Sequence, residues 1–332
     1  MARRRIGQEK LWGERKARSG GISLDEVAVL VDWVELDQLL AGISSSAKGE
    51  LGWPPLALFR ALLLASWHDL SDVRLAEALD DRASFRRFCG FSTHEPTPER
   101  TSFVRFRGEL VRRACAAGAR PGIVRGRHAP TGPAWRRSAD GHPRGRDAHP
   151  IGEPQGRRGA LGGAVKGSGS IAAGMTAEGG HRRRKPMHGY KAHVATDQDA
   201  GLIHGIEVTT ANVHDAAELA AILPDAPGDT YGDSAYQGDR SGEIIRARGG
   251  RPCVVHTGGF GGEVATKRLR AHNAAVRRIR CRIEKVFGTC KRSYGLRRMR
   301  WLGLAKAGLQ VRLAAIAYNL RRSLTLLVPT AA

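Results

Sequence analysis

The chain has 332 residues, long enough for two domains or for one large domain with an appendage. Its 54 lysines and arginines against 32 aspartates and glutamates leave a formal net charge of +22. Such an excess speaks to partners rather than to fold, and nucleic acid comes first, because Lys and Arg displace its condensed counterions. A membrane surface is the competing partner, yet no stretch approaches the roughly eighteen apolar residues of a spanning helix. No longer helix reads as basic and amphipathic throughout, and the start "MARRRIGQEKLWGERKARSGG" lacks the apolar core of a signal peptide. The expectation is a cytoplasmic, nucleoid-associated protein with no membrane partner. The five cysteines form no C-x-x-C pair, which argues against a disulfide framework or a zinc site.

After a basic tail (1–22), residues 23–113 read as helical. Apolar residues recur at helical spacing from Leu24 to Leu40, behind a Ser23 cap. "GWPPLALFRALLLASW" opens with prolines that suit a first turn. Ser71 caps "SDVRLAEALDD", "SFRRFCGF" follows closely, and Pro98 takes the first position of "PERTSFVRFRGELVRR". Short helices with Arg-rich faces suggest a small DNA-binding domain, of helix-turn-helix type, or equally a dimerisation bundle.

Residues 114–180 break this pattern. Between 112 and 170 the large aliphatic and aromatic residues are Ile123, Val124, Trp135, Ile151, Leu161 and Val165, set among Arg, Gly, Ala, Pro and His. So little apolar surface cannot order a compact layer, and the segment is expected to be poorly ordered.

Regular patterning returns at Tyr190 and defines a second domain, 181–326. "GYKAHVATD" and "GLIHGIEVTT" read as a hairpin joined by "DQDAG". "NVHDAAELAAIL" reads as a helix with Asp215 and Glu218 spaced like a capping box. "DTYGDSAY" is a strand running into a turn, "RSGEIIRARG" a helix, "RPCVV" a strand, and 264–293 a long basic helix. A hairpin followed by alternating strands and helices indicates an α/β mixed sheet flanked by helices, preceded here by an all-α domain.

In the long helix, Arg277, Arg280, Glu284 and Lys291 share one face, beside an apolar stripe of Val276, Ile279, Ile283, Val286 and Phe287. One carboxylate among these cations is either the middle of a salt-bridge ladder or a metal ligand where phosphates gather. Asp233, in "YGDSAY", lies just past a predicted strand, where open α/β sheets bind ligands. Taken alone, such an Asp is a turn former. Paired with Glu284 it offers the hard oxygen ligands that Mg²⁺ prefers.

Together, "GYKAHVATD", "TTANVHDAAEL", "YGDSAY", "RIEKVFGTCKRSYGLRRMRWLG" and "LQVRLAAIAYNLRR" resemble the DDE transposases of bacterial insertion sequences. "PPLALFRALLLASWHDLSDVRLAEALDDRASFRRFCGF" resembles the helical region that precedes the catalytic domain in that family. The family's Arg-x-x-x-Glu-x-x-x-x-x-x-Lys signature corresponds to Arg280, Glu284 and Lys291, with Arg277 where an upstream Tyr often stands. The resemblance implies a ribonuclease-H-like fold in which two Asp and one Glu hold two Mg²⁺ or Mn²⁺ ions. Such ions activate a water or hydroxyl and stabilise the leaving oxygen of a phosphodiester. By this carry-over Asp233 is the second acid and Glu284 the third. The first should sit in an apolar strand as Asp-Ala-Thr. The nearest match is Asp147 in "RGRDAHPIG", with Asp140 as runner-up, although Pro150 argues against a central strand. Displaced reading of residues 114 to about 170 in GC-rich DNA accounts for both the composition and the lost strand, and would make this a defective copy.

Phosphate contacts are expected from Arg280, Lys291 and Arg277, from Arg182, Arg183, Arg184 and Lys191 in "GHRRRKPMHGYKAH", and from Arg297 and Arg298 in "YGLRRMRWLG". The implied partners are the element's terminal inverted repeats, target DNA and further copies of the chain. Two alternatives stay open: a non-catalytic DNA-binding repressor of transposition, and a metal-dependent nuclease without strand transfer.

Overall fold

The structure, a computed structural model, describes residues 24–43, 52–93, 95–116, 148–151, 189–258 and 261–327. The basic tail, Asp140, Asp147, Arg182, Arg183, Arg184 and most of the 114–180 segment lie outside the described residues.

The first helices are α1 (Leu24–Leu30), α2 (Trp33–Ala41), α3 (Pro55–Trp67), α4 (Asp72–Asp81), α5 (Ala83–Cys89) and α6 (Arg100–Ala116). The single helix expected over Leu24–Leu40 is two. The Asp32 carboxylate accepts hydrogen bonds from the amides of Val34 at 3.0 Å and Glu35 at 3.2 Å, so it caps a new helix instead of continuing the old one. Ser71 caps α4 as expected, its Oγ accepting from the Arg74 amide. α5 ends on Gly90 at φ +90, a left-handed conformation that glycine adopts without penalty. α6 opens at Arg100, two residues after the proline expected to start it.

Strands β1 (Ala148–Ile151), β2 (Tyr190–Asp197) and β3 (Ile203–Thr210) form an antiparallel sheet in the order β1-β2-β3. Pro150 argues against a central strand, and β1 is an edge strand of its sheet, with Pro150 opposite Ala195 in the ladder. Proline accepts extended backbone; what it lacks is an N–H. β1 also runs alongside β4 (Asp229–Gly232), yet among the described residues β4 bonds only to β5 (Arg251–Val254), in parallel, as a separate two-stranded sheet. A strand missing a donor is poorly equipped to complete a second ladder.

The β2–β3 turn is closed by Asp197, whose carboxylate accepts from the amides of Ala200, Gly201 and Leu202. Burial opposes its charge, but His204 and the turn amides outweigh burial and hold its pKa below the ordinary carboxylate value. A 3-10 turn (Asp215–Glu218) leads into the short α7 (Leu219–Ile222). After β4 come a 3-10 turn (Ser234–Tyr236), α8 (Asp239–Ala247), β5, the long α9 (Glu263–Ser293) and α10 (Leu304–Leu327).

One hydrophobic core runs from Val27 in α1 through α3, α5 and α6 to β2, β3, α9 and α10. The indole N–H of Trp67 in α3 donates to the carbonyl of Ala317 in α10 at 2.9 Å, inside that core. At the margin, Arg107 forks onto Asp72 with two 2.6 Å hydrogen bonds and lies 4.2 Å from the centre of the Trp301 ring. A smaller cluster of Leu219, Leu223, Tyr236, Ile245 and Val254 seals β4 and β5 against α7 and α8. Among the described residues no helix is long and apolar enough to cross a membrane.

Candidate active site

The turn after β4 is built around Tyr236, which is 1% exposed and lies on Gly232, where a Cβ would sit 3.0 Å from its ring. With Tyr236 anchored, Asp233 takes the capping position of the 3-10 turn and its Oδ1 accepts from the Ala235 amide at 2.9 Å. The second oxygen, Oδ2, is left pointing toward α9. The turn-former reading of this Asp is therefore correct, and it leaves one carboxylate oxygen over for other work.

α9 passes the end of β4 with Val276, Ile283, Val286, Phe287 and Cys290 buried. Glu284 stands at the border of that stripe with its side chain 63% exposed. Arg280, one turn earlier, is 19% exposed and contacts both acids: one guanidinium nitrogen is 3.1 Å from Glu284 Oε1 and the other 3.6 Å from Asp233 Oδ2. Its Nε is buried with no hydrogen-bond partner among the described residues. The intrahelical salt bridge weighed from the sequence thus exists. As an exposed i, i+4 pair it contributes only a few tenths of a kcal/mol. Its larger consequence is that Asp233 and Glu284, distant in sequence, converge on one cation.

Burial raises the Asp233 pKa above the ordinary carboxylate value; Arg280 and His214 pull it down, and Asp215 pushes it further up. Asp215 is a residue that sequence reasoning misplaced. It does not cap its turn; His214 does, with Nδ1 accepting from the Ala216 amide. Asp215 is instead buried, its Oδ1 2.9 Å from Lys191 Nζ and 3.4 Å from His193 Nδ1. Burial pushes His193 down to about 4, so the ring is neutral at pH 7. Its Nε2 lies 2.9 Å from Thr209 Oγ1. The signal available in the sequence was the consecutive His214-Asp215 pair just beyond a strand.

Lys191 corrects an expectation. It is 8% exposed, and its ammonium is spent on Asp215 and on the Val213 carbonyl at 2.7 Å, so it does not face a DNA backbone. β2 is buried on both faces, which alternation in a single strand cannot reveal. Arg277, Arg297 and Arg298 are exposed, and Lys291 is half-buried, with burial lowering its pKa. Two α9 thiols, nine residues apart on the helix, differ in exposure: Cys281 is exposed, and Cys290 is buried and pushed up to about 12.

The donor chemistry fits a hard divalent cation. Two carboxylates meet at a point where the fold already holds a positive charge. Among the described residues no group of three His, Cys, Asp or Glu side chains comes together to hold a metal. Two family models match the chain: "Transposase DDE domain" over residues 158–320 and "Transposase domain (DUF772)" over residues 14–109. No solved structure matches it significantly.

Proposed function

Because the chain belongs to the DDE transposases of insertion sequences, we propose that Asp233 and Glu284 are two of the three carboxylates of a phosphodiester-transfer site for Mg²⁺ or Mn²⁺. The observation that carries this reading is the Arg280 bridge, which fixes both acids around one cation-seeking point at the end of β4. The metal, when bound, supplies Lewis-acid activation of a water or 3′-hydroxyl and charge stabilisation of the leaving oxygen. The chain's own residues hold and orient. The Ala235 amide keeps Asp233 in one rotamer, and the buried stripe of α9 fixes the height of Glu284. Half-burial of Lys291 leaves its ammonium at the rim, where a phosphate would be received. Arg277, Arg297 and Arg298 are exposed and are assigned further phosphate contacts in this reading.

Neighbouring strands in the order β3-β2-β1-β4-β5, with β1 beside β4, support the ribonuclease-H-like reading of the sheet. Asp147 stands as the candidate for the first carboxylate because it immediately precedes β1. The DDE-domain match opens at residue 158, beyond it. The helical region, the terminal inverted repeats as DNA partner and assembly into oligomers belong to the same proposal.

The test is nicking of duplexes taken from the DNA that flanks the coding sequence, with Mg²⁺ or Mn²⁺. Glu284→Gln should abolish cleavage while leaving the melting temperature within about 1 °C, since an exposed substitution costs at most about 0.5 kcal/mol. Binding of those duplexes without cleavage would instead identify a regulator descended from the enzyme. Cutting without joining would identify a nuclease.

A further inference from the structure

Arg280 occupies the place where the two carboxylates converge, and a guanidinium and a divalent ion cannot both stand there. We infer that Arg280 is the resident counter-ion of the Asp233–Glu284 pair and leaves it for a DNA phosphate, so that metal and DNA load cooperatively.

Three observations carry this. The same side chain reaches an acid on each of two elements, through separate nitrogens, so one positive charge is shared between two carboxylates and leaves the pair in need of more. The bridge is imperfect: the Asp233 contact at 3.6 Å exceeds hydrogen-bond length, and the buried Nε has no hydrogen-bond partner among the described residues. A buried donor left unmet favours any rearrangement that satisfies it. Finally, the side chain keeps 19% exposure, on the helix face it shares with half-buried Lys291 and exposed Arg277, so a phosphate arriving at that rim is within its reach. Phosphate offers a guanidinium the two-pronged geometry that these separate carboxylates do not.

The consequence is a linkage. Without DNA, metal must displace a +1 charge already held by its ligands. With DNA, that charge is drawn away and the acids are vacated together. Reciprocity then requires metal to tighten DNA binding by the same factor that DNA tightens metal binding. The inference rests on the metal reading of Asp233 and Glu284, and the experiment separates the two.

Mn²⁺ is titrated calorimetrically into the full-length chain, with and without a mixed-sequence duplex, subtracting a duplex-only blank. Glu284→Gln identifies the heat that belongs to the site. Wild type should bind Mn²⁺ about tenfold tighter when duplex is present, within the usual span of coupling between sites. Arg280→Met should bind Mn²⁺ without DNA as tightly as wild type does with it, and duplex should add less than about twofold. Arg280→Lys keeps a charge that cannot span both acids and should fall between. It also serves as the deciding variant if the Met substitution unfolds the chain. Glu284-dependent Mn²⁺ binding that is indifferent to Arg280, with the DNA effect intact in both variants, overturns the exchange and spares the metal site. No Glu284-dependent binding in any variant, with or without duplex, overturns both.

Discussion

His193 is the residue whose environment departs furthest from what its position in a strand suggests. It is 0% exposed, lies beside Asp215 and Lys191, and is pushed down to about 4 chiefly by burial. An unfolded histidine titrates near 6.5, so between the two values the unfolded chain binds a proton that the folded chain refuses. Stability therefore rises with pH across that window and is lost as pH falls from about 6.5 to about 4, to a limit of roughly 3 kcal/mol. Urea unfolding from pH 7 to pH 4 should show this slope. His193→Gln, which keeps a donor for Thr209, should flatten it. An unchanged slope in the variant would place the acid sensitivity elsewhere. None of this was legible locally: β2 alternates in sequence like a half-exposed strand, and only packing under α7 and α10 closes its second face.

At the scale of the element, most boundaries were readable because their causes act over three or four residues. Ser71 and Gly90 cap their helices through contacts within one turn, and α9 over Glu263–Ser293 matches the expected 264–293. Asp32 was overlooked because the apolar spacing on either side continues in phase across it, although an aspartate inside a helical run favours exactly such a cap over the interior. Gly205 shows the opposite limit. Its place in β3 looks like an ordinary weak point in a strand, yet a Cβ there would fall 1.8 Å from the backbone carbonyl oxygen of Ile222. α7 rests directly on the glycine, beside the bulge between Ala195 and Thr196. Gly205→Ala should destabilise by about 3 kcal/mol, the upper range of overpacking, because backbone cannot move aside as a side chain can. Chemical denaturation measures it, and a loss below about 1 kcal/mol would mean that α7 lifts freely from the sheet.

The whole molecule is held by contacts that join its two ends. Trp67 reaches Ala317, Arg300 pairs with Asp69, and Arg107 stacks near Trp301 while forking onto Asp72. A continuous apolar core lies behind them. With so much surface shared, the helical region and the sheet region should unfold in one transition, followed identically by far-ultraviolet dichroism and by tryptophan fluorescence. Trp67→Phe keeps most of the apolar area but removes the indole hydrogen bond to the Ala317 carbonyl, which keeps its place in the α10 ladder, so it should lower stability by about 0.5–1.5 kcal/mol without splitting that transition. Two separated transitions would show that α10 serves the sheet alone.

From sequence alone came the basic character, the helical first third, the order of strands and helices after Tyr190, and the proposal that Asp233 and Glu284 act as a pair. Periodicity, capping chemistry and motif spacing are local properties, and they survive without knowledge of the rest of the chain. Tertiary structure alone decided that Arg280 bridges those acids, that Lys191 turns inward to Asp215, that a strand forms across Pro150, and that the first helices share a core with the last. Each of these depends on segments far apart in sequence being pressed together. Burial and charge pairing between such segments arise only once the chain has closed on itself.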